Sequence, residues 1–255
     1  MGLIEVSRER EGDVVIITMN RPEKLNAMNA QMLRDVAKVW TEFVEDDTQK
    51  IAILTGAGRG FCTGEDLVEA AERGTPGLDP DKPDDPFWDQ FANGKPLDKL
   101  TMTAVNGWAM GGGFIMAMLS DFRLASRNAV FEISEARHWA IGAFEAAFRD
   151  TLPWAVATEL ALGFRMSAER AYQVGFVNRL VDEPEQLIPA ALEACDHLLS
   201  IPPASLKNTL AVAHQLRPQL PEEVVKWGVE VRWSGMEEAL EARRAFAEGR
   251  KPNFR

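Results

Sequence analysis

The chain has 255 residues, 46% hydrophobic and 26% charged, with 19 glycines and 14 prolines. That composition excludes disordered and fibrous classes and leaves a globular protein, either one large domain or a core with a smaller appendage. Asp and Glu outnumber Lys and Arg by 39 to 28, for a net charge of −11, which argues against a dedicated binder of nucleic acid or of an anionic membrane.

Glu5, Arg8, Glu9, Arg10 and Glu11 break up the apolar region that a signal peptide needs, so no export signal is expected. Val14–Met19 is a β-branched run between turn residues, and residues 50–55 form a second one before Gly56. Both predict buried strands. Between them Asn29 can cap a helix whose Met32, Leu33, Val36, Val39, Trp40, Phe43 and Val44 fall on one apolar stripe.

Cys62 and Cys195 are the two cysteines; they make neither a disulfide framework nor a zinc site and fit a reduced cytoplasm. Residues 74–86 hold four prolines, two glycines and four aspartates and predict an exposed loop. Residues 101–120 carry no charge but include Asn106 and four glycines, so they predict strand, turn and helix in place of a membrane span. The strand covers 102–105, the helix 114–119, and another strand 122–125 follows. Repeated strand and helix units make an α/β core. Beyond residue 184 strand signals stop, and 184–200, 203–216 and 221–248 predict helices that each open with a proline. The division is a core over 1–199 and a helical region over 200–255. Trp227, Val231 and Trp233 on the long last helix suggest a subunit interface.

Two stretches place glycines directly before a helix whose first turn lacks the usual Ser or Thr cap. They are Gly56-Ala57-Gly58-Arg59-Gly60-Phe61-Cys62-Thr63-Gly64-Glu65-Asp66-Leu67 and Gly107-Trp108-Ala109-Met110-Gly111-Gly112-Gly113. Uncapped N–H groups backed by a helix dipole stabilise an anion or a developing oxyanion. A dinucleotide fingerprint fails because Phe61 stands where the third glycine belongs, and no P-loop Lys-Ser/Thr follows. Neither turn holds a serine, so a hydrolase elbow has no support.

Taken in order, Arg21-Pro22-Glu23-Lys24-Leu25-Asn26-Ala27, the two glycine stretches, Ala171-Tyr172-Gln173-Val174-Gly175-Phe176-Val177-Asn178-Arg179-Leu180-Val181 and the tail Arg250-Lys251-Pro252-Asn253-Phe254 resemble the crotonase (enoyl-CoA hydratase/isomerase) superfamily. The resemblance covers nearly the whole chain. It implies an α/β fold, a spiral of ββα units with a C-terminal helical trimerisation region, commonly as a homotrimer or dimer of trimers. It also implies acyl-CoA thioester substrates and no metal or other cofactor. The family's oxyanion hole maps to the backbone N–H groups of Glu65 and Gly112, where an enolate would be held. Contacts to the CoA portion map to Lys24, Leu25, Ala27, Asp66 and Leu67, with Lys24, Arg21 and Arg59 available to phosphates. Phe246 and Lys251 would reach a neighbouring subunit's site.

Hydratases of this family use two glutamates. Here the first position is Ile115 and the second aligns with Glu135, so a single base moving a proton between C2 and C4 is the leading expectation. The segment 139–147 is rebuilt relative to the family, and Glu145 in it is a candidate second acid or base. His138 and Trp139, with Ile115, would shape the acyl pocket. Hydrolysis, dehalogenation or decarboxylation of an acyl-CoA through Glu145, or CoA binding without turnover, are the alternatives.

Overall fold

The computed structural model describes residues 2–73, 86–91, 94–138, 152–218 and 220–254. The predicted loop at 74–86 lies outside them except for its last residue. Strand β1 (Ile4–Glu9) pairs antiparallel with β2 (Val14–Met19). Asn29 caps α1 (Ala30–Glu45) as predicted, its side chain accepting from the Met32 N–H at 2.9 Å. Met32, Leu33, Val36, Trp40 and Phe43 are buried along that helix.

From β3 (Ile51–Gly56) onward the chain repeats one step. A strand joins the first sheet, a tight turn sends the chain into a short strand of a second sheet, and a helix follows. The first step is β3, β4 (Gly60–Cys62) and α2 (Leu67–Arg73). After α3 (Pro86–Phe91), the second is β5 (Leu100–Val105), β6 (Trp108–Met110) and α4 (Gly112–Leu119). The third is β7 (Phe122–Ser126), β8 (Val130–Glu132) and α5 (Glu135–His138). Then come α6 (Trp154–Ala161), β9 (Met166–Ser167), α7 (Ala168–Gln173) and β10 (Arg179–Val181). The first sheet runs β1-β2-β3-β5-β7-β10 and the second β4-β6-β8-β9. This is a spiral of ββα units.

Both faces of β2 and β3 in the first sheet are covered, which is why these strands read as apolar runs. Val15, Ile17, Ala52 and Leu54 point into a core shared with α1, α4 and the second sheet. Val14, Ile16, Ile51 and Ile53 point the other way, onto Leu187, Ala191, Ala194 and Cys195 of α8 (Leu187–Leu199). The uncharged run 101–120 divides into β5, β6 and α4. Among the described residues no helix is long and apolar enough to cross a membrane.

The C-terminal part contains α9 (Pro203–Gln215), α10 (Glu222–Ser234) and α11 (Met236–Ala247). The single helix predicted over 221–248 is therefore two, broken at Gly235, where φ −109° and ψ 22° leave the helical region. Glycine is a poor helix former. Trp227 remains 65% exposed. In contrast α11 folds back onto α2 and α5 and buries Ala239, Ala242, Arg243 and Ala245. Phe246 consequently lies edge-on to His138 of its own chain, ring centroids 5.4 Å apart, and remains 53% exposed.

Candidate active site

The site forms where the three turns between sheets and helices converge. Its outer wall is the loop 21–27, in which Leu25 and Asn26 adopt left-handed φ of 51° and 56°. Asn26 is fully buried, and its amide nitrogen donates to the Ala57 and Gly60 carbonyls at 3.0 and 2.7 Å. Its side-chain oxygen accepts from the Arg21 N–H at 2.8 Å. One side chain thus fastens the loop to the first glycine turn.

Met28 then pairs with Glu65 in an isolated parallel bridge. The Met28 N–H donates to the Gly64 carbonyl at 2.7 Å, and the Asp66 N–H donates to the Met28 carbonyl at 3.0 Å. Because successive peptide groups of an extended strand point to opposite sides, this bridge turns the Glu65 amide away from Met28. Gly64 has φ +84°, and a Cβ placed there would come within 3.0 Å of both Gly112 N and the Met110 carbonyl. The two turns touch through main chain, and only glycine permits it.

On the other side, Met110 is in register with Glu132, and the Gly111 N–H donates to the Glu132 carbonyl at 3.0 Å. Gly111 precedes α4 with φ +52° and ψ −122°, and no side chain caps the helix. The parallel pairing of β6 with β8 brings Ser134 and Glu135 back beside this turn. A Cβ on residue 111 would lie 3.2 Å from Glu135 Oε1 and 3.2 Å from Ser134 Oγ. Glu135, half-buried at the head of α5, therefore stands at the uncapped start of α4. Ile115, in the first turn of α4, is half-buried and packs against the main core.

Of the other residues singled out in the sequence, Lys24 and Arg59 are exposed at the rim. Arg21 is turned inward: its Nη1 lies 2.6 Å from Asp66 Oδ2 and donates to the Ala27 carbonyl at 3.0 Å. Arg21 braces the loop and is not open to a phosphate. Asp66 is held below the usual carboxylate range, since burial raises its pKa but the Arg21 bond and the Glu69 and Val68 amides outweigh it. Ala27 and Leu67 flank this brace. Trp139, Glu145 and the rest of the rebuilt segment lie outside the described residues.

His138 is pushed down to about 4, by burial first and then by the nearby Arg137 and Arg243 charges, so its ring is neutral at physiological pH. Two features had no signal in the sequence. Fully buried Glu132 binds Arg137 at 3.0 Å and Arg165 at 2.8 Å, anchoring the end of β8. Arg243 of α11 approaches Glu65. The Glu132–Arg165 and Glu65–Arg243 pairs join residues far apart in the chain, which local pattern cannot show.

A ββα spiral with two glycine turns meeting at an uncapped helix start defines the crotonase class. The chain matches the enoyl-CoA hydratase/isomerase family over residues 9–255. The carnitinyl-CoA dehydratase of Escherichia coli (strain K12) is 34% identical over 253 residues, 95% of each chain. That of Salmonella enteritidis PT4 is 33% identical over 261 residues, again 95% of each. Among solved structures, a carnitinyl-CoA hydratase from Mycobacterium avium superposes with a TM-score of 0.82 at 29% identity, covering 100% of this chain and 99% of that one. An enoyl-CoA hydratase/isomerase from Mycobacterium paratuberculosis gives 0.73 at 31% identity, covering 99% and 98%. The chain belongs to the enoyl-CoA hydratase/isomerase family of the crotonase superfamily.

Proposed function

We propose that the protein converts an acyl-CoA thioester through its enolate, with the Glu65 and Gly112 amides holding the thioester oxygen and Glu135 moving the proton at C2. The observation that carries this reading is the convergence across Gly111, where the Glu135 carboxylate and the uncapped start of α4 share one turn. Removing a C2 proton places negative charge on the thioester oxygen, and main-chain donors fixed in advance stabilise it without reorganisation. The same carboxylate can return the proton at C4, which shifts the double bond.

A second reading is favoured by the relatives named as carnitinyl-CoA dehydratases: the enolate of a 3-hydroxyacyl-CoA expels the hydroxyl and water is lost. Ile115 cannot protonate that leaving group, so this route needs another acid. Glu145 is the candidate from the sequence. In either case the CoA portion would run along Lys24, Leu25, Ala27, Asp66 and Leu67 at the mouth. The assembly would be a homotrimer or dimer of trimers joined through residues 200–255, which light scattering would show.

The test is incubation with 2-enoyl-, 3-enoyl-, aryl- and carnitinyl-CoA in heavy water, followed by mass spectrometry. Deuterium at C2 supports the enolate, and the product distinguishes isomerisation from dehydration. Release of free CoA without C2 deuterium would point to hydrolysis instead.

A further inference from the structure

Arg243 lies on the face of α11 that packs onto α2 and α5, and its side chain is 3% exposed. Its Nη2 stands 3.6 Å from Glu65 Oε2, on a side chain itself 9% exposed. Its Nε donates to the His138 carbonyl at 3.0 Å. Glu65 belongs to the first glycine turn, and His138 closes the short helix that Glu135 opens. A single buried guanidinium therefore spans the two halves of the site.

A guanidinium is rigid and planar, and its Nε and Nη groups donate in fixed, different directions, so it can set the spacing between two partners. An ammonium carries its three donors on one nitrogen, so it does not fix the spacing between two partners in the same way. Glu65, for its part, is a carboxylate with little access to water, and a buried carboxylate is costly unless a cation such as Arg243 lies near it.

We propose that Arg243 is a positioning residue that holds the Glu65 turn and the Glu135 helix in one geometry. This rests on the function proposed above. It makes the C-terminal helix part of the active site, because the donor pair and the base keep their relative placement only while α11 is docked.

The experiment measures C2 deuterium exchange by mass spectrometry, with butyryl-CoA and carnitinyl-CoA as probes, and Kd for butyryl-CoA by calorimetry. The proteins are the wild type, Glu135→Gln, Arg243→Lys, Arg243→Met, Glu65→Gln and the Arg243→Met/Glu65→Gln double variant, each checked for native circular dichroism. Because small misplacements of reacting groups slow a reaction strongly, exchange in Arg243→Lys and Arg243→Met should fall by at least about tenfold, with Kd within about threefold of wild type if uniform binding is untouched. The double variant should lose less than the product of the single losses, since both act on one contact. Wild-type exchange in Arg243→Lys overturns the proposal even if Arg243→Met fails to fold, as does a loss confined to Kd. If the wild type exchanges, Glu135→Gln abolishes it and Arg243→Lys is unaffected, only the positioning role falls. If the wild type exchanges neither probe, the enolate reading falls and takes this one with it.

Discussion

Glu135 Oε1 lies 3.2 Å from the point that a Cβ on residue 111 would occupy. Gly111 is thus kept bare both by its own backbone, at φ +52° and ψ −122°, and by the carboxylate beside it. Gly111→Ala should cost about 1–3 kcal/mol of stability, the range for a non-glycine residue held in such a conformation. It should also displace Glu135, so that turnover per folded molecule falls. Thermal melting together with a turnover assay checks both, and an alanine variant with wild-type Tm and rate would contradict this geometry.

Asn26 makes three side-chain hydrogen bonds, two to the first glycine turn and one within the outer loop. Asn26→Leu leaves the part-buried Ala57 carbonyl and the buried Gly60 carbonyl without that donor, at roughly 1–3 kcal/mol for an unsatisfied buried group. Urea unfolding should show the loss. Thioester binding should weaken as well, since the loop is no longer fastened.

The pH dependence of stability follows from Asp66, whose folded pKa is depressed below its ordinary 3.8. Its contribution is fully present above that unfolded value and disappears as pH falls through the lower folded one. Asp66→Asn should therefore be less stable than wild type at pH 6, with the gap closing below about pH 4. Urea midpoints across that range measure it. A gap that stays constant would mean the carboxylate charge is not what Arg21 holds.

Cys62 and Cys195 are both buried and both pushed up to about 12, chiefly by burial. The thiolate is the reactive form, so iodoacetamide at pH 8 should modify neither thiol in the folded protein and both after denaturation. Intact mass reads the outcome.

The apolar strands and α1 were legible because both faces of β2 and β3 are buried and Asn29 caps a clean stripe. Strand β1 was not: it is an edge strand with Glu5 and Arg8 exposed, so no apolar alternation marks it. Strands β4, β6 and β8 have three residues each, too few to show a period, yet they set the register that returns Glu135 to Gly111. The glycine turns announced themselves by composition, but their contact depends on the Met28–Glu65 bridge, which is tertiary. Glu135 itself was singled out only through family resemblance. The reversal at Gly235 and the reach of Arg243 to Glu65 depend on packing between distant segments.

Glu135 is the proposed base, and the rate of C2 deuterium incorporation by Glu135→Gln, read beside its affinity for the same thioester, tests that role. Glutamine keeps the size and the hydrogen-bonding capacity but cannot take a proton. The rate should fall by at least the roughly 10²-fold typical of losing a general base, with Kd nearly unchanged. A Glu135→Gln protein that exchanges at the wild-type rate would remove Glu135 as the base and move the chemistry to another carboxylate.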